Sequence, residues 1–431
     1  MKQISNIILF ILPWLVPNCV HGQIKRSPEF KEKYELQEVV ILSRHNIRSP
    51  LSDNGSILGK LTPHQWTSWS AGPSELTLRG GILETLMGQF FRKWLVEEGM
   101  FPENYIPTAD EVNFYANSMQ RTIATAQYFS SGFMPIANLR INHRYSPSKM
   151  DPVFFPRLTK MSDAFKAKAL REIADMGGNK GIKGINERLA GSYQLLAEIL
   201  DFKDSPAYQT GEVCSFNDYD TQIILEKGEE PAMKGTLKVA NSASDAFILQ
   251  YYEENDSQKA AFGHLIDDSE WGKIAEIKDT YGDVLFAAPS VACNVAHPLL
   301  IYINDELNSP GRKFTFLCGH DSNITSICAA LGIEKYSLTE SIEKSTPIGC
   351  KLVFEKWKDK EGKAYIAIHL VYQSTEQLRS VKALDMKHPP MIHELNVKGL
   401  TRNPDGIYPF EKIEEQFAKA ITAYEKLDDK D

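Results

Sequence analysis

Two apolar runs that each empty into a polar turn constrain this chain more than any other feature. Val39-Val40-Ile41-Leu42 leads directly to Arg44-His45-Asn46-Ile47-Arg48-Ser49-Pro50, and far downstream Phe314-Thr315-Phe316-Leu317-Cys318 leads to Gly319-His320-Asp321-Ser322-Asn323. Unbroken apolar runs of this length suit strands covered on both faces, as in a sheet flanked by helices. The second turn opens a helix from Ile324 to Leu331, closed by Gly332. A third unit has the same layout: Val112 to Ala116 alternates as a strand does, Asn117-Ser118 breaks it, and helical spacing resumes from Arg121 to Phe129. Apolar pairs every four residues between Thr77 and Gly99 predict one more helix. We therefore expect an α/β fold, a mixed sheet flanked by helices. It is built from residues 23–145 and 283–431, with a mainly helical domain, 146–282, inserted between the two parts.

In such a sheet, ligands bind beyond the carboxyl ends of the strands, where loops converge. All three turns lie at that end, so one pocket would gather Arg44, His45, Arg48, Arg121, His320 and Asp321. The net charge of −8 and a pI near 5.8 offer no general attraction to nucleic acid or to an anionic membrane. Arginines clustered in so acidic a chain point to a local anion site, and the expected partner is a small phosphorylated molecule.

The chemistry follows if a phosphate monoester fills that pocket. Arg44, Arg48 and Arg121 would grip its nonbridging oxygens and stabilise developing charge. The same positive field keeps a neighbouring imidazole neutral, so His45 can attack phosphorus and become a phosphohistidine. Asp321 would protonate the leaving oxygen, provided it holds a proton at the working pH, and His320 would bind phosphate beside the arginines. No cofactor is called for, because the arginines supply the charge. No HExxH or paired CxxC motif suggests a zinc site. A sugar-phosphate binding protein or a phosphotransferase would use the same arginines, although simple binding needs neither His45 nor Asp321.

The first residues read as an export signal, 1–22: Lys2 precedes a short apolar core, and Val20-His21-Gly22 ends in a small residue suited to cleavage. A periplasmic location is the expectation. Five cysteines then remain, Cys214, Cys293, Cys318, Cys328 and Cys350. An odd number leaves at least one thiol unpaired, and Cys318 and Cys328, flanking His320, read as buried and inert. Oligomeric state is not legible.

RHxxRxP near the start, followed much later by HD after an apolar strand, resembles the histidine acid phosphatases, the family that includes bacterial phytases. The resemblance runs along almost the whole mature chain. Asn46 in place of glycine, Ala116 to Thr122, Lys238-Val239-Ala240-Asn241-Ser242 and Thr346-Pro347-Ile348-Gly349 are similar to its sugar-phosphate-hydrolysing members. It implies a phosphoglycerate-mutase-like sheet, His45 as nucleophile, Asp321 as proton donor, and Arg44, Arg48, Arg121 and His320 as phosphate ligands. It also implies a helical domain covering the site and Glu230, just before Pro231, as a contact to the sugar. The substrate so implied is a sugar phosphate, glucose 1-phosphate first, with inositol hexakisphosphate or a broad range of esters as the alternative. Leu51, where phytase-like members carry threonine, tilts toward the small sugar. The family also implies a disulfide from Cys214 to a cysteine near Ser205-Pro206-Ala207, but Tyr208 stands there.

Overall fold

The computed structural model describes residues 26–51, 56–216, 218 and 220–427, so the export-signal segment 1–22 lies outside the described residues. Its strands are β1 (Tyr34–Arg44), β2 (Val112–Ala116), β3 (Gln222–Ile224), β4 (Ala232–Lys234), β5 (Phe314–Gly319), β6 (Lys351–Asp359), β7 (Ala364–Tyr372), β8 (Met391–Glu394) and β9 (Tyr408–Pro409). The main sheet runs β2-β5-β1-β6-β7-β8, with β9 also paired to β7. β2, β5 and β1 are parallel, and β6, β7 and β8 are antiparallel, so the sheet is mixed, as the sequence implied.

The helices of eight residues or more are α1 (Leu78–Glu97), α2 (Gln120–Phe133), α3 (Asp163–Asp175), α4 (Gly181–Arg188), α5 (Ala190–Ile199), α6 (Thr236–Glu253), α7 (Asp268–Phe286), α8 (Pro289–Leu307), α9 (Asp321–Ala330) and α10 (Phe410–Glu425). The apolar runs are continuous because both sheet faces are covered. Val39, Ile41 and Phe316 pack under Phe90, Phe91 and Trp94 of α1 and Phe129 of α2. Val40, Leu42 and Leu317 face Leu300 and Ile303 of α8, Ile324 of α9 and Phe417 of α10. Period-two alternation thus survives inside an unbroken hydrophobic run.

Thr77 caps α1, accepting the Gly80 N–H at 3.1 Å, and Gly99, at φ +77°, takes the left-handed conformation after the helix. α9 begins three residues earlier than the sequence spacing suggested, at Asp321, which makes His320 its N-cap residue. A separate hydrophobic body, with Phe165, Tyr193, Leu196, Phe247, Trp271 and Ile274, occupies α3 to α7. Val291 and Val295 of α8 join that body while Leu299, Leu300 and Ile303 join the sheet core. One helix therefore ties the two cores together, and residue 282, where the inserted segment was expected to end, lies inside α7. Cys214, Cys293, Cys318, Cys328 and Cys350 are all free thiols, the last three of them buried.

Candidate active site

β1 and β5 end level with one another, and β2 ends one residue short of them. Arg44 pairs with Gly319 and Ala116 with Cys318, so the next residues of β1, β5 and β2 are His45, His320 and Asn117. Strands spaced about 4.8 Å apart bring the two imidazoles into contact, with ring centroids 5.5 Å apart at 70°.

His45 is buried, and its Nδ1 lies 2.9 Å from the Asn46 carbonyl oxygen. A carbonyl only accepts, so Nδ1 carries the hydrogen and the lone pair resides on Nε2. Burial first, then Arg121, Arg48, His320 and Arg44, hold its pKa well below the ordinary histidine value, which keeps the ring neutral. Asn46 helps to fix this turn. Asn46 donates from Nδ2 to Glu84 at 2.8 Å, while its Oδ1 accepts the Ile47 N–H at 2.8 Å. Glu84 in turn pairs with Lys351 at 2.9 Å, both fully buried. Gly349, at φ +68°, lies against the Asn46 amide, where a Cβ would come within 2.4 Å of Nδ2. That contact accounts for a glycine at the end of the Thr346–Gly349 run.

His320 is neutral for the same reasons, burial followed by Arg121, although Asp321 opposes them. Asn117 Oδ1 accepts the Asp151 N–H at 2.8 Å, so its Nδ2 is the donor to His320 Nε2 at 2.7 Å. The proton of His320 therefore sits on Nδ1.

Of the residues nominated from sequence, His45, Arg48, Arg121, Glu230, His320 and Asp321 line one cavity of about 310 Å3. Arg44 lies beneath it, donating to Glu343 at 2.7 Å and to the Thr346 carbonyl at 2.6 Å, with Nη2 3.5 Å from Asp321. Arg48 pairs with Asp245 at 3.0 Å. Burial, then Arg48, lowers Arg121 to about 10. The Nε atoms of Arg44, Arg48 and Arg121 are buried without a partner among the described residues, which leaves donors suited to an anion. Glu230 reaches the rim from the β3–β4 turn, which is pinned by Leu158 through bonds to the Glu229 carbonyl and from the Gly228 N–H.

Lys278, Asp245, Glu343 and Asn117 were not nominated from sequence. Asn117 stood inside a conspicuous turn, whereas Lys278 and Asp245 are ordinary helix residues with no local signal. Lys278 Nζ sits 3.1 Å from Asp321 Oδ2 and 3.3 Å from Glu343 Oε1. Burial alone would raise the Asp321 pKa, but Lys278 and Arg44 hold it well below the carboxylate range, so it is ionised in the unliganded site. Among the described residues, no three His, Cys, Asp or Glu side chains group as metal ligands.

This set of strands, with two imidazoles and three arginines at its carboxyl end, is a site for phosphoryl groups, and the chain belongs to the histidine phosphatase superfamily (branch 2), matched over residues 35–382. It is 39% identical over 389 residues to a glucose-1-phosphatase of Salmonella typhimurium, covering 89% of this chain and 92% of the relative. A glucose-1-phosphatase of Providencia rettgeri is 38% identical, covering 90% and 92%. Among solved structures, the Hafnia alvei phytase apo form superposes with a TM-score of 0.83 at 29% identity, covering 91% of this chain and 98% of that one.

Proposed function

We propose that the protein is an exported phosphomonoesterase that hydrolyses sugar phosphates, glucose 1-phosphate first, through a phosphohistidine on His45. The observation that carries this is the free Nε2 lone pair of a neutral His45 in a cavity whose arginines keep unpartnered donors. Arg48, Arg121 and His320 hold the phosphate, and Arg44 supports it from beneath. His45 Nε2 forms a bond to phosphorus as the ester P–O bond breaks. The leaving oxygen takes a proton delivered by Asp321. Because Asp321 is ionised beforehand, that proton comes from a monoanionic substrate, whose own charge lifts the carboxyl when it binds. Water then attacks the phosphohistidine, giving its proton to Asp321.

Residues 146–282 act as a substrate-capping domain, since α6 and α7 supply Asp245 and Lys278 to the cavity wall. Glu230 at the rim accepts hydrogen bonds from sugar hydroxyls. The two glucose-1-phosphatases support the sugar-phosphate reading, and the reading of residues 1–22 as an export signal supports a periplasmic location.

The test is phosphate release by purified protein in EDTA between pH 4 and 7, from glucose 1-phosphate and from phytate side by side. A preference for glucose 1-phosphate is expected, and His45→Ala should reduce turnover by at least about a thousandfold while inorganic phosphate still binds. Faster release from phytate would keep the mechanism and replace the substrate. No release without added metal, or a normal rate in His45→Ala, would end the phosphohistidine reading.

A further inference from the structure

The cavity has two chemically opposite walls. One carries the arginine donors described above, and the other is built by two packed helices. Lys238, Asn241 and Asp245 lie along one face of α6, and Lys278, Asp279, Gly282 and Asp283 lie along one face of α7. On this second wall the unmatched atoms are acceptors. Asn241 Oδ1 and Asp279 Oδ1 are both buried and without a partner among the described residues. Asp279 is held in place through its other oxygen, which accepts the Lys344 N–H at 2.6 Å. A buried acceptor left unmatched costs free energy until a donor arrives, and once the phosphate is held by the arginines and its acid proton has passed to Asp321, the donors left on the substrate are the hydroxyls of its alcohol part.

The position of this wall is informative. Asp279 follows Lys278, whose ammonium touches the carboxylate of Asp321. If Asp321 serves the leaving oxygen, the body of the leaving group extends along this side.

We propose that Asn241, Asp279 and Asp283 form a hydroxyl-reading subsite that binds the uncharged polyol part of a monophosphate and disfavours a second phosphate group. This rests on the phosphomonoesterase reading above and narrows its substrate class. Burial raises the Asp279 carboxyl to about 7 against the pull of Lys278, while Asp283 stands exposed on the same wall. In weakly acid solution the Asp279 carboxyl both donates to and accepts from hydroxyls. The three residues are distinct from Glu230, which approaches from the β3–β4 turn.

The experiment compares kcat/KM for glucose 1-phosphate, its 2-, 3-, 4- and 6-deoxy analogues, p-nitrophenyl phosphate and phytate. It uses the wild type, Asn241→Ala, Asp279→Asn and Asp283→Asn. Asparagine at 279 keeps an oxygen for the Lys344 N–H and replaces the carboxyl oxygen that accepts when ionised by an NH2 that only donates, so acceptance at this position is lost at every pH while the backbone contact is retained. In the wild type at least one deoxy analogue should lose about tenfold or more. That penalty should shrink toward unity in a variant of the subsite, and the ratio of phytate to glucose 1-phosphate turnover should rise in Asp279→Asn and Asp283→Asn. If Asp279→Asn does not fold, the wild-type deoxy series and Asn241→Ala still decide. Hydrolysis of p-nitrophenyl phosphate with no discrimination among deoxy analogues would overturn the subsite alone, as would a penalty that persists unchanged in every variant. Failure to hydrolyse any ester would remove the phosphomonoesterase reading and this inference with it.

Discussion

Asp321 illustrates how one neighbour sets the working state of a reactive group. Its carboxylate meets Lys278 at 3.1 Å and Arg44 at 3.5 Å, and these charges outweigh a burial that alone would favour the neutral acid. Lys278→Met keeps the bulk of the side chain and removes the first of them, so the carboxyl should titrate at higher pH. A proton donor loses activity as pH rises through its pKa. The alkaline limb of the kcat profile for glucose 1-phosphate should therefore move upward in Lys278→Met, measured across pH 4 to 8. An unmoved limb would mean that the substrate's own ionisation, near pH 6 for a phosphate monoester, controls it instead.

Among the elements, α1 and α2 matter because they carry the backing of both the His45 turn and Arg121. They approach at glycines: a Cβ on Gly88 would come within 2.2 Å of the Phe129 carbonyl, and one on Gly132 within 2.1 Å of the Thr85 carbonyl. Alanine favours a helix over glycine by about 1 kcal/mol, but here the added methyl meets backbone that cannot rotate away. Forcing the helices apart costs about 1–3 kcal/mol. Gly88→Ala should thus lower Tm by a few degrees instead of raising it, as differential scanning calorimetry would reveal. A rise would mean that the two helices separate without penalty.

For the whole molecule, the core carries an ionisable group outside the site that contributes to its response to pH. Glu38, in β1, is buried, and its Oε1 has no partner among the described residues. Burial raises its pKa to about 8, against the attraction of Lys356 and Arg312 and with the repulsion of Glu306. The folded value exceeds the unfolded one, so this stability is complete below about pH 4.5 and is lost as pH climbs through 8. Glu38→Gln should flatten the fall in Tm between pH 5 and 9. His45, whose folded pKa is depressed, acts in the opposite sense, with stability lost as pH falls below the ordinary histidine value. Equal pH slopes in wild type and Glu38→Gln would remove Glu38 from this account.

The sequence by itself determined what depends on near neighbours along the chain. The strand runs, the polar turns after them and the arginines flanking His45 are local patterns, and strand polarity at the sheet's carboxyl edge joins them into one site. Helix ends were legible where Thr77, Gly99 and Gly332 carry cap chemistry. The start of α9 was not, because Asp321 and Ser322 have little intrinsic helix preference, while His320 keeps the extended backbone of the strand and serves as the N-cap. Only the tertiary structure decided that Arg44 lies beneath the cavity, that Lys278 meets Asp321 and that Asp245 holds Arg48. Lys278 and Asp321 lie 43 residues apart in the chain (278 to 321), Arg48 and Asp245 lie 197 apart, and Arg44 and Glu343 lie 299 apart. A charge's partner at such separation is fixed by how α6 and α7 pack over the sheet, and no periodicity along the chain encodes that contact.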